Sequence, residues 1–143
     1  VNIWGNGWGK WSVKNKHPNL VVHGYPVYSD DFIEIIEKTK INLCFLRKLA
    51  KDESTNRTFE IPACGGFMLA ENTDEQKTFF QENYEASFFS DDEELYKKCE
   101  YFLKNRTRRE NIAQNGHLKC RTSGYGYSDR CKQFFSDVWP KIA

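Results

Sequence analysis

The chain has 143 residues with a net charge of +1, 39% hydrophobic and 29% charged side chains, enough for one sizeable core and too apolar for intrinsic disorder. Near-neutral charge gives no global field for a nucleic acid or a membrane surface. No apolar run reaches the ~20 residues of a transmembrane segment.

Val1 to Trp4 reads as a strand, and Gly5-Asn6-Gly7-Trp8-Gly9 as a loop where backbone can approach a ligand closely. The chain starts directly on this strand-like run, so it is expected to be a piece of a longer protein. Leu20 to His23 is a second short strand. Ser29 is the expected N-cap of a helix running to about Lys40, with Phe32, Ile33, Ile35 and Ile36 on its apolar face. Ile41 to Leu46 is nearly all apolar, as in a strand of a parallel sheet covered on both faces.

Further along, Phe67 to Ala70 predicts a strand, Asp74 to Phe80 a helix and Ala86 to Phe89 a short strand. Asp91 to Lys104 predicts a helix with acids in its first turn and Leu95, Cys99, Phe102 and Leu103 on one face. Thr107 to Cys120 is another helix. Ser128 opens a last one, with Cys131, Phe134, Phe135, Val138 and Trp139 on a stripe. The fold class is therefore α/β, a Rossmann-like parallel sheet flanked by helices. Residues 1–121 form the main domain, and 122–143 a C-terminal helix packed on it. The loops after strands, Gly5–Lys10, Arg47–Arg57 and Glu71–Asp74, are expected along one edge, where such folds bind ligands.

The five cysteines (Cys44, Cys64, Cys99, Cys120, Cys131) are odd in number and lack CxxC spacing. That argues against a disulfide framework or a zinc site and for a reducing cytoplasm. No signal peptide is read in the first residues.

The most informative stretch is Thr55-Asn56-Arg57-Thr58-Phe59-Glu60-Ile61-Pro62-Ala63-Cys64-Gly65-Gly66. It follows a strand and begins a short helix, where free N–H groups and the dipole favour an anion. Thr55, Arg57, Thr58 and Glu60 suit phosphate and sugar hydroxyl. Proline damages a helix beyond its first turn, so Pro62 favours a start near Thr58. That start would put Arg57 just outside the helix.

This stretch, with Lys40-Ile41-Asn42-Leu43 before it and Phe67-Met68-Leu69-Ala70-Glu71 after it, resembles the nucleotide-sugar-binding half of GT-B glycosyltransferases, in particular the CgeB-like branch of group 1. Ala86-Ser87-Phe88-Phe89, Asp92-Glu93-Glu94-Leu95 and Arg109 to Gly116 fit the family's tail. The resemblance covers roughly residues 20–130. It implies transfer of a sugar from a nucleotide diphosphate to an acceptor, with Glu60 receiving the ribose hydroxyls. Arg57, with the helix start at Thr55 and Thr58, would hold the diphosphate. The family carries a second acid eight positions earlier, toward the donor sugar; here that position is Asp52 rather than glutamate.

Gly5, Gly7 and Gly9 resemble the glycine loop after the second strand of that half, which implies that a preceding strand and helix are missing. The acceptor-binding N-terminal half, which brings the catalytic base, is missing too. No catalytic residue is therefore assigned, and the chain alone is expected to bind a donor and transfer nothing. No metal and no cofactor are expected, since helix amides and basic side chains can stabilise a leaving diphosphate.

Plainer readings stand beside these. Glu60 could be a solvated helix acid, and Arg57 could pair with it at i+3. His23 could be a satisfied structural histidine. Trp4, Trp8 and Trp11 could stack on a base or lie under a covered edge. Lys10 is a weak substitute for a missing basic residue. A non-catalytic nucleotide-sugar-binding or structural interaction module of the same fold remains the alternative function, and a flavodoxin-like receiver a third.

Overall fold

The computed structural model describes residues 1–9 and 17–142. Its contacts divide the chain into two units, Val1–Ile35 and Ile36–Ala143. Residues 122–143 fall in the second unit together with the strands and helices that precede them from Ile36 on. Lys10 and Trp11 lie outside the described residues.

In the first unit, β1 (Asn2–Ile3) pairs in parallel with β2 (Val21–Val22). The Gly5 amide donates to the Tyr25 carbonyl at 2.8 Å, closing the turn after β1. His23 lies flat on Trp4, ring centroids 4.4 Å apart, with its Nε2 3.1 Å from Asn2 Oδ1. This is the satisfied structural histidine of the plainer reading. Helix α1 (Ser29–Lys38) starts in this unit. Ser29 stands at a φ of 50°, left-handed rather than in the extended geometry of an N-cap.

The second unit is a parallel α/β arrangement. Strands β3 (Asn42–Cys44), β4 (Met68–Glu71) and β5 (Ser87–Phe89) lie in the order 3-4-5, with Leu43 opposite Leu69 and Ala70 opposite Phe88. Helices α2 (Asn56–Ala63) and α3 (Asp74–Phe79) connect them, and α4 (Asp92–Lys104) and α5 (Arg106–Thr122) follow. Residues 127–142 continue as α6 (Tyr127–Gln133), a wide π turn (Phe134–Val138) and α7 (Trp139–Ile142).

In the central strand β4, Met68, Leu69 and Ala70 are each at most 1% exposed, and only Glu71 at its end is partly open. The expected cover of β3 on both faces is realised on one face only. Asn42 and Cys44 are buried, while Leu43 is 36% exposed. One core cluster joins Phe67, Leu69 and Phe89 to Phe102 of α4 and Ile112 of α5. Leu95 and Cys99 pack against it as their spacing predicts, whereas Leu103 turns outward at 54% exposure.

The C-terminal stripe departs further from expectation. Phe134, Phe135, Val138 and Trp139 are all exposed. The segment's tie to the unit is Tyr125, whose hydroxyl donates to the Phe79 carbonyl and whose ring meets Phe59, Phe79 and Phe80.

Candidate functional site

The site is built from the loop between β3 and α2. Beyond Cys44 the chain makes one short 3-10 turn, Lys48–Ala50, closed by Lys51 at a φ of 54°. Two groups from the next strand and loop pin this segment. Glu71, ending β4, accepts from the Leu46 amide at 2.8 Å and lies 3.7 Å from Lys48 Nζ. Thr73 donates its hydroxyl to the Glu53 carbonyl at 2.7 Å. The loops Arg47–Arg57 and Glu71–Asp74 are therefore joined at the carboxyl ends of β3 and β4. The Gly5, Gly7 and Gly9 loop belongs to the first unit; Gly5 and Gly7 hold φ values of 139° and 87°.

Helix α2 begins earlier than the proline argument predicts. Thr55 is its N-cap, with a capping box. The Thr55 hydroxyl accepts from the Arg57 amide at 3.2 Å, and the Thr55 amide donates to Thr58 Oγ1 at 3.1 Å. Pro62 consequently sits in the last turn, not the first. Its missing N–H costs one bond to the Thr58 carbonyl, and the helix stops one residue later. A Schellman closure then takes over: the Gly65 amide reaches the Pro62 carbonyl at 2.9 Å and the Gly66 amide the Ile61 carbonyl at 3.0 Å. Gly65 supplies the left-handed residue, φ 76°, that this closure needs. The reciprocal cap at the start thus outweighs one lost bond near the end.

This start position changes what each residue offers. Thr58 is fully buried, its hydroxyl 3.4 Å from Gln76 Oε1. Its amide donates to the Thr55 carbonyl at 3.0 Å. Thr58 therefore holds the helix start from inside rather than facing a ligand. Arg57 is within the first turn, not outside the helix, and its Nη1 pairs with Glu60 Oε2 at 2.7 Å. Both partners are about half exposed. Across the loop, Arg47 Nε stands 3.5 Å from Asp52 Oδ2.

A cleft of about 450 Å³ gathers Arg47, Asp52, Ser54, Thr55, Asn56, Arg57 and Glu60. Four of the five non-glycine residues singled out in the sequence, Asp52, Thr55, Arg57 and Glu60, thus share one opening. Arg47 is the residue that sequence reading passed over, although its place just after a strand was a usable signal. Two cations and two carboxylates, each cation paired to an acid, line a polar opening of metabolite size. Beneath it Cys44 Sγ lies 3.8 Å from Thr55 Oγ1, and burial pushes its thiol above the ordinary range. It therefore stays protonated. Among the described residues, no group of three or more His, Cys, Asp or Glu is placed to hold a metal ion, and no helix is long and apolar enough to cross a membrane.

No curated protein and no solved structure matches the chain. A family model described as glycosyl transferase-like matches residues 1–136. With its Rossmann-like parallel sheet and a polar cleft at the strand ends, the chain belongs to the glycosyl transferase-like family.

Proposed function

We propose that the cleft at the carboxyl end of β3 binds the nucleoside diphosphate of an activated sugar. The observation that carries this is the convergence of Asp52, Thr55, Arg57 and Glu60 on one opening in a glycosyl transferase-like chain. Arg57 and Arg47 take the diphosphate, Glu60 accepts from the ribose hydroxyls, and Asp52 faces the donor sugar. The bonding inside the capping box shifts the phosphate task from the helix amides to the two guanidinium groups.

The two ion pairs do not obstruct this. Exposed Arg–carboxylate pairs contribute ~0.2–1 kcal/mol. Two oxygens of one phosphate group can take the same guanidinium through two parallel N–H···O bonds, where Glu60 takes a single one. When the diphosphate draws Arg57 away, the Glu60 carboxylate is released for the ribose hydroxyls. Ligand entry is thus an exchange of partners rather than a net loss of them. Arginines drawn to the phosphates also stabilise the charge that develops on a leaving diphosphate, so the chemistry proposed requires no metal. The acceptor and the catalytic base are assigned to a further half of the enzyme.

A second reading is binding without transfer, favoured by Asp52 standing one methylene shorter than glutamate at the sugar end. Calorimetric titration with UDP, GDP and ADP tests the common part. Binding of one of them, weakened at least ~tenfold in Glu60→Ala, supports the site. No binding to any of the three overturns it. Release of sugar from the bound donor, assayed in the presence of an acceptor, then divides enzyme from binder.

A further inference from the structure

A second cleft, of about 410 Å³, opens at the other end of the same strands. It is formed by residues that precede β3 and β4, together with Leu103 and the first turns of α5, and it shares no residue with the proposed donor cleft. Lys38, Lys40, Arg106 and Arg109 line it against the acids Glu37 and Glu110.

Arg109 is the unusual member. It is only 7% exposed, and no carboxylate pairs with it among the described residues. One nitrogen, Nη1, donates to the Phe102 carbonyl in the last turn of α4. A guanidinium carries five N–H donors, and leaving buried ones unpaired is costly. Yet no fully enclosed side-chain nitrogen among the described residues lacks a partner. The donors that Phe102 does not take are therefore not sealed inside the fold, and Arg109 lines the cleft.

The helix that carries Arg109 adds a second anomaly. α5 opens without a side-chain cap and without an acid in its first turn. Instead Arg106, Arg108 and Arg109 stand there, where the dipole disfavours cations. Arg106 offsets part of this through Glu110 at 2.7 Å, and Arg108 through the Asn83 carbonyl at 2.6 Å. Arg109 has the Phe102 carbonyl alone and, among the described residues, no carboxylate. Sequence choices that oppose local physics concentrate at functional or strained sites.

We propose that this cleft binds the phosphate group of a small soluble molecule. Arg109 and Arg106 donate to the phosphate, Lys40 adds a third cation, and the apolar wall of Phe67, Leu103 and Ala113 covers the organic part. The site lies at the amino ends of the strands, so its occupant is not the sugar donor. The inference stands whether or not the donor reading does.

The test is nitrogen-edited NMR of the full chain, arginine Nε–H signals included, titrated with inorganic phosphate and with glycerol phosphate. Saturable shifts are expected at Arg109 Nε–H and at the amides of Lys40 and Gly66. The Lys40→Glu, Arg106→Glu double variant changes two surface side chains and should fold; it is expected to weaken binding at least ~tenfold. Arg57→Ala should leave the response intact. Absence of saturable shifts overturns the proposal, as does a response that survives the double variant or disappears in Arg57→Ala. A response to vesicles of phosphatidic acid without one to the soluble phosphates overturns the assignment to a small molecule.

Discussion

At the start of α2 the Thr58 hydroxyl works inward. It receives the Thr55 amide and meets Gln76 while fully buried, so a polar side chain in a ligand-like motif serves the fold. Thr58→Val keeps the volume and removes the hydroxyl, leaving the Thr55 amide and the Gln76 oxygen without a partner. The expected loss is about 1–3 kcal/mol in urea unfolding, with the slope unchanged. Glu94 gives a residue-scale prediction of another kind. Hydrogen bonding from Lys98, then from the Ser90 amide, holds its carboxyl below the ordinary value of 4.5. Burial pulls Lys98 down, but its bonds to Glu82 and Glu94 outweigh this and raise it, so it stays charged throughout the acid range. A depressed carboxyl stabilises the fold in full above its unfolded value and loses that contribution as pH falls through its folded one. Below about pH 4.5 the parent should therefore lose stability more steeply than Glu94→Gln, as followed by unfolding midpoints across pH.

The elements were legible to the extent that their signals are local. Strands, helices and the acid-rich start of α4 follow from period and capping chemistry, and the structure places them within a few residues of expectation. Two features were not legible. Pro62 argued for a late start of α2, because the reading weighed one lost bond and not the reciprocal cap at Thr55 and Thr58. The exposure of Leu43 depends on what packs on the second face of β3, which no local pattern encodes. Gly116 shows the same limit on α5. A methyl group there would collide with the backbone carbonyl of Glu85, which cannot rotate away. Nothing near Gly116 in sequence announces that approach. Gly116→Ala improves helix propensity yet should lower the melting temperature, with a loss of about 1–3 kcal/mol from overpacking. Equal or greater stability in the variant would show that the α5 contact is looser than the structure has it.

Across the whole chain, what sequence shows best is which residues gather locally at the motif cleft. Asp52, Thr55, Arg57 and Glu60 reached one cleft because they lie within nine residues on a loop and a helix whose ends are pinned. Arg47 escaped notice, being set apart from the motif. The cleft at the amino ends escaped as well, since Lys40 and Arg109 reach one opening only through the packing of α5 against α2 and α4. The stripe from Phe134 to Trp139 has the spacing of a packed face but remains open, which spacing alone does not distinguish. The central claim is that the motif cleft receives a nucleoside diphosphate through its two arginines and Glu60. Titration of the chain with UDP, GDP and ADP, repeated on Glu60→Ala, tests it most directly. The account predicts saturable binding of one nucleotide and at least ~tenfold weakening in the variant. Failure of all three to bind, or binding unchanged in Glu60→Ala, would contradict it.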